Sequence, residues 1–119
     1  MDCRILIADD NTDAGDTLGA FLEALGFEVQ VVRDGQAAVE CVAERMPQIV
    51  ILDLGMPRLD GWRACERIRA LPGGGGARIV ALSGWGASDA RAKSKEAGFD
   101  EHRTKPASTT ELFALIRRR

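Results

Sequence analysis

Apolar residues come along this chain in short blocks, and the spacing within the blocks changes from strand-like to helical and back. "CRILIA" (3–8) reads as a strand. "TLGAFLEALG" (17–26) follows, with Leu18, Phe21, Leu22 and Leu25 at helical spacing and Gly26 where a C-terminal cap belongs. "FEVQVV" (27–32) alternates like a strand. Asp34 is placed to cap a helix with apolar positions at Ala38, Val39, Val42 and Met46, ended by Pro47. "QIVILD" (48–53) is the third strand, and Asp60 caps a helix carrying Ala64, Cys65, Ile68 and Leu71, stopped by Pro72. The glycine run 73–76 predicts a flexible loop, and "RIVALS" (78–83) a fourth strand. A fourth helix over 87–97 offers only Ala87, Ala90 and Ala97 to a core, so it should be the loosest element; Gly98 caps it. "DEHRT" (100–104) is a weak fifth strand. Ser108 and Glu111 form a capping box for a last helix bearing Leu112, Leu115 and Ile116.

Strand and helix alternate five times. That pattern predicts an α/β fold with a parallel sheet, helices on both faces and right-handed crossovers. The runs 49–52 and 79–82 suit strands buried on both sides. No repeat or linker interrupts the 119 residues, which predicts a single domain over 1–119.

Composition narrows the function classes. With 45% hydrophobic and 29% charged residues and a net charge of −2, the chain has the balance of an ordinary globule and lacks the basic patch of a nucleic-acid face. Arg117, Arg118 and Arg119 read as favourable charge at a helix C-terminus. Nothing approaches the roughly 20 apolar residues of a membrane span, and "MDCRILIADD" has no secretory pattern. Cys3, Cys41 and Cys65 are odd in number, widely spaced and set among apolar neighbours, so each is predicted to be a small core residue. Reduced thiols fit a cytoplasmic location.

Ligands of open parallel sheets bind beyond the carboxyl ends of the strands. Asp9 and Asp10 follow the first strand, Asp53 ends the third, Ser83 ends the fourth, and Lys105-Pro106 follows the fifth. Carboxylates about 5 Å apart repel by roughly 3 kcal/mol per pair at an effective dielectric near 20. A divalent cation would relieve that cost, and oxygen donors with room for water suit Mg²⁺. A carboxylate can also attack phosphorus to form an aspartyl phosphate. Lys105, Ser83 and backbone N–H groups after Asp53 could then neutralise or bind phosphoryl oxygens.

"ADDN" (8–11), "ILDLGMPRLDG" (51–61), "ALSG" (81–84) and "TKPA" (104–107) together resemble the receiver domain of two-component response regulators, in order and across essentially the whole chain. The resemblance implies a flavodoxin-like (βα)5 sandwich with strand order 2-1-3-4-5. It implies that Asp53 accepts a phosphoryl group from the phosphohistidine of a histidine kinase or histidine phosphotransfer protein. Asp10, Asp53, the Gly55 carbonyl and, through water, Asp9 would hold Mg²⁺ or Mn²⁺. Ser83 and Lys105 would contact the phosphoryl group, and a cis bond would precede Pro106. It further implies a downstream protein, a fused output domain or a second copy of the chain as the recipient of the signal, acting on the face near the fourth and fifth helices. "LGMP" (54–57) and "ALSGWG" (81–86) also resemble receivers of hybrid sensor kinases or chemoreceptor-pathway proteins, which implies a receiver attached to or excised from a hybrid kinase or multidomain regulator.

One position departs from the family pattern. His102 stands where an aromatic switch residue is usual. It reads either as a partly exposed surface histidine or as the replacement switch beside Ser83; Trp85, two residues after Ser83, reads either as carrying part of the signal in place of His102 or as a lid packed over the loop. A Mg²⁺-dependent phosphohydrolase with an aspartyl nucleophile is the competing enzyme class, but such enzymes usually carry a second Asp where Gly55 stands. A pseudo-receiver working without phosphorylation would usually have lost an acidic residue or the lysine, and all are present.

Overall fold

The alternation is borne out in a computed structural model, which describes residues 4–56, 58–84, 88–105 and 108–117. In chain order the elements are β1 (Arg4–Ala8), α1 (Thr12–Ala24), β2 (Glu28–Val32), α2 (Gly35–Glu44), β3 (Ile49–Asp53), α3 (Gly61–Ala70), a 3₁₀ turn (Gly74–Gly76), β4 (Arg78–Ser83), α4 (Ser88–Ala97), β5 (Glu101–Thr104) and α5 (Thr109–Arg117). The strands form one parallel sheet in the order β2-β1-β3-β4-β5.

The pleat sorts the core into two layers. Leu6, Ala8, Val50, Leu52, Ile79 and Ala81 face α2 and α3, meeting Ala38, Val42, Ala64, Cys65 and Ile68. Ile5, Ile7, Ile49, Ile51, Val80 and Leu82 face α1 and α5, meeting Leu18, Leu22, Leu112, Leu115 and Ile116. The central strand β3 is buried along its whole length, which explains its unbroken apolar run.

The caps form as expected. Asp34 accepts the Ala37 N–H at 2.7 Å, Asp60 the Arg63 N–H at 2.9 Å, and Ser108 the Glu111 N–H at 3.0 Å. Four expectations change. First, α1 begins at Thr12, because Asn11 caps it by accepting the Ala14 N–H. Second, Leu25 is 45% exposed: the helix tightens into i→i+3 bonds at its end, and Leu25 turns off the buried stripe. Third, the glycine run is folded into a turn, with Arg69 donating to the Gly74 carbonyl at 2.8 Å. Fourth, α4 is held by polar atoms: Ser94 is as buried as the core, beside Ala97. Ala87, Cys3, Arg118 and Arg119 lie outside the described residues.

Of the remaining thiols, Cys41 is only half-buried, whereas Cys65 is fully enclosed and burial pushes its pKa up to about 12. At pH 8 a thiol of that pKa is thiolate in roughly one molecule in 10⁴. Iodoacetamide at pH 8 should therefore leave Cys65 unmodified until denaturant is added, as read by peptide mass mapping. Labelling of Cys65 in the folded protein would contradict this.

Candidate functional site

The carboxyl edge of the sheet gathers the acidic residues. Alternation places Asp9, Asp53 and Lys105 on the α1/α5 side, continuing the rows of Ile7, Ile51 and Arg103. Asp9 and Asp53 are 5% and 7% exposed, while Asp10 is exposed. One carboxylate oxygen from each of the three lies within 4.8 Å of the others.

Lys105 answers two of these charges. Its Nζ lies 3.0 Å from Asp53 Oδ2 and 3.6 Å from Asp9 Oδ2. Burial pulls the ammonium pKa down, but the hydrogen bond and charge of Asp53, with the charge of Asp9, more than offset it and hold Lys105 above its ordinary value. Burial pushes the Asp9 carboxyl up. The Asn11 N–H, bound to Asp9 Oδ1 at 2.9 Å, and Lys105 oppose this rise, and the Asp53 charge adds to it. The backbone strap Lys105 N–H to Ser83 O, 2.7 Å long, fixes the end of β5 against β4.

The predicted residues are thus distributed unevenly. Asp9, Asp10, Asp53 and Lys105 are brought together. Gly55 reaches the cluster through its N–H, which donates to Asp53 Oδ1 at 3.1 Å. Ser83 is buried at the end of β4, on the opposite pleat from Asp53. Trp85, Pro57 and Pro106 lie outside the described residues. His102 corrects the reading of a partly exposed surface histidine: it is 7% exposed, and its Nδ1 meets Ser94 Oγ at 2.9 Å. Its row on β5 faces inward, opposite Ala81. Asn11, which sequence reasoning passed over, both caps α1 and binds Asp9. Its signal was the cap-forming residue directly after the acidic pair.

The loop that carries Gly55 closes over α2. Arg58 there has φ 68°, a left-handed conformation that costs a side-chain-bearing residue roughly 1 kcal/mol. Its side chain is 77% exposed, and its 3.8 Å ion pair with Asp34 is too solvated to repay that. Glycine removes that cost but adds conformational freedom to the unfolded chain, so Arg58→Gly should raise stability by no more than about 0.5 kcal/mol in urea denaturation. A loss of stability would show that the ion pair and the chain entropy together outweigh the strain.

An all-oxygen donor set with buried and exposed members suits a hard divalent cation that keeps part of its water. Comparison with known proteins agrees with this chemistry. The family model described as the response regulator receiver domain matches residues 5–117. Response regulator MprA of Mycolicibacterium vanbaalenii is 33% identical over 117 residues, covering 98% of this chain and 50% of that protein. The chain therefore spans about half the length of the curated MprA relatives it matches. The receiver domain of a sensor histidine kinase from Pseudomonas aeruginosa PAO1, solved with a magnesium ion coordinated in its active-site cleft, is 30% identical. It has a TM-score of 0.91 and covers 99% of this chain and 97% of that one. The chemotaxis response regulator CheY4 of Vibrio cholerae shares the fold at a TM-score of 0.93 and 20% identity, covering 99% and 98%. Sheet order, the acidic edge and a family match over nearly the whole length converge, and the chain belongs to the receiver domains of two-component response regulators.

Proposed function

We propose that residues 1–119 act as one phospho-accepting signalling domain in which Asp53 takes a phosphoryl group from the phosphohistidine of a sensor kinase or phosphotransfer protein. One observation carries the reading: Asp53 is a buried carboxylate at the end of a rigid central strand, with an ammonium at 3.0 Å and two further carboxylates alongside. An Asp53 oxygen donates an electron pair to phosphorus, the P–N bond breaks, and its electrons leave with the imidazole of the donor. Lys105 neutralises a phosphoryl oxygen, Ser83 donates a hydrogen bond to another, and the Gly55 N–H is aimed at the acceptor carboxylate. Asp10, Asp53, the Gly55 carbonyl and, through water, Asp9 would hold Mg²⁺ or Mn²⁺, which supplies charge neutralisation when bound. Ser83, His102 and Trp85 form the switch. A partner protein, a fused domain or a second copy receives the signal in the cytoplasm, with no direct contact to nucleic acid. Among the described residues no helix is long and apolar enough to cross a membrane.

The test is direct. With Mg²⁺ and phosphoramidate, the intact mass should rise by one phosphoryl group, and Asp53→Ala should not gain it. No gain in the wild type, or a gain that survives in Asp53→Ala, overturns the proposal.

A further inference from the structure

The attachment of α4 is unlike that of its neighbours. Whereas α5 presents Leu112, Leu115 and Ile116 to the core, α4 presents Ala97 and the hydroxyl of Ser94. Ser94 Oγ lies 3.0 Å from Trp62 Nε1 on α3 and 2.9 Å from His102 Nδ1 on β5. An indole N–H can only donate, so Ser94 accepts from Trp62. The Ser94 hydroxyl then either donates to a bare His102 Nδ1 or accepts from a protonated one, and in both tautomers the hydrogen bonds run from α3 through α4 to β5. Neighbouring side chains reinforce both ends. Arg91 donates to the His102 carbonyl at 3.2 Å and to Thr104 Oγ1 at 3.4 Å. Lys93 Nζ sits 4.2 Å from the centroid of the Trp62 ring.

We infer that Trp62, Ser94 and His102 form a latch across three elements, and that displacing His102 releases α4 from α3, making the α3–α4 seam an output of the domain. The inference rests on the reading of Asp53 as phosphoryl acceptor. The register supplies the link. His102 pairs with Ala81 and Thr104 with Ser83, so His102 lies on the same sheet face as Ser83, one pleat further from the site. Any shift of Ser83 towards a phosphoryl group changes the space beside His102. The His102–Ser94 bond has little slack, because Ser94 is held by Trp62 on its other side. A core of leucines would slide through such a shift; a directional hydrogen bond breaks. Ser94 and Trp62 act here as positioning residues.

The test combines hydrogen exchange of the α4 amides with the NMR signal of the Trp62 indole N–H, both in the otherwise unaltered chain, while intact mass reports phosphoryl load. Before phosphorylation, Ser94→Ala should exchange α4 about tenfold faster than its parent, and Ser94→Thr, which keeps the hydroxyl, should stay near it. Loading with Mg²⁺ and phosphoramidate should raise α4 exchange and shift the Trp62 indole N–H signal in the parent, with no further rise in Ser94→Ala. Should Ser94→Ala not fold, His102→Phe removes the same bond. A mass gain without change in α4 or Trp62 overturns the latch and leaves the role of Asp53 standing. Parent-like exchange in both latch variants overturns it too, and absence of any mass gain removes both readings together.

Discussion

Lys105→Met is expected to take up phosphoryl groups from phosphoramidate at least about 100-fold more slowly than the wild type. Removal of one preorganised charge from a largely buried site commonly costs that much. The substitution keeps the length of the side chain and deletes the ammonium 3.0 Å from Asp53. The buried Asp9 and Asp53 carboxylates then face each other without it, and Mg²⁺ should raise the melting temperature of the variant more than that of the wild type. The pH dependence has a definite sign. The folded pKa of Lys105 lies above 10.5, so its contribution to stability is complete below 10.5 and is lost as pH rises through the folded value. Lys105→Met should lack that alkaline loss. Uptake within threefold of the wild type would show that the ammonium is a structural charge only.

Gly35→Ala should be among the most damaging of the conservative changes. A Cβ at Gly35 would stand 1.9 Å from the Leu59 carbonyl oxygen and 2.8 Å from its carbon. Backbone cannot yield as a side chain does, and Leu59 is anchored in the core, so the β3–α3 loop must move as a unit. The expected cost is about 3 kcal/mol or more, read as a lower urea midpoint with an unchanged slope. The same loop carries Gly55, whose N–H holds Asp53, so phosphoryl uptake should slow as well. A loss under about 1 kcal/mol would mean that the loop shifts more easily than its packing implies.

Much of this architecture is legible in the chain. β4 was bounded to the residue by "RIVALS", and Asp34 and Asp60 announced two helix starts, because periodicity and caps are local properties. The site was legible for a topological reason: residues after parallel strands share an edge whatever their neighbours are. What escaped notice depends on tertiary contact. Asp13, Gly15 and Asp16 look like loop formers, yet Gly15 is buried in α1, where a Cβ would stand 3.1 Å from Val31. Ser94 and Trp62 lie on different helices, so no spacing joins them. "EHRT" is too short, and too charged on either side of His102, to reveal an inward-facing histidine. Whether Gly55 offers its N–H or its carbonyl is a matter of loop torsion that residue type does not encode.

The Arg69 guanidinium binds the carbonyls of Gly74, Ala77 and Gly98 and the Asp100 carboxylate at the end of the molecule remote from the acidic edge. Its grip on Gly98 lies immediately beyond the last residue of α4, so one end of that helix is pinned while the other stands near the site. The pinned end makes a fulcrum. A helix of 10 residues is about 15 Å long, and a tilt of about 10° about its fixed end carries the free end roughly 2.6 Å. Loss of a single hydrogen bond at Ser94, near the pinned end, would thus be magnified into a displacement at the far end comparable with the length of the bond that was lost.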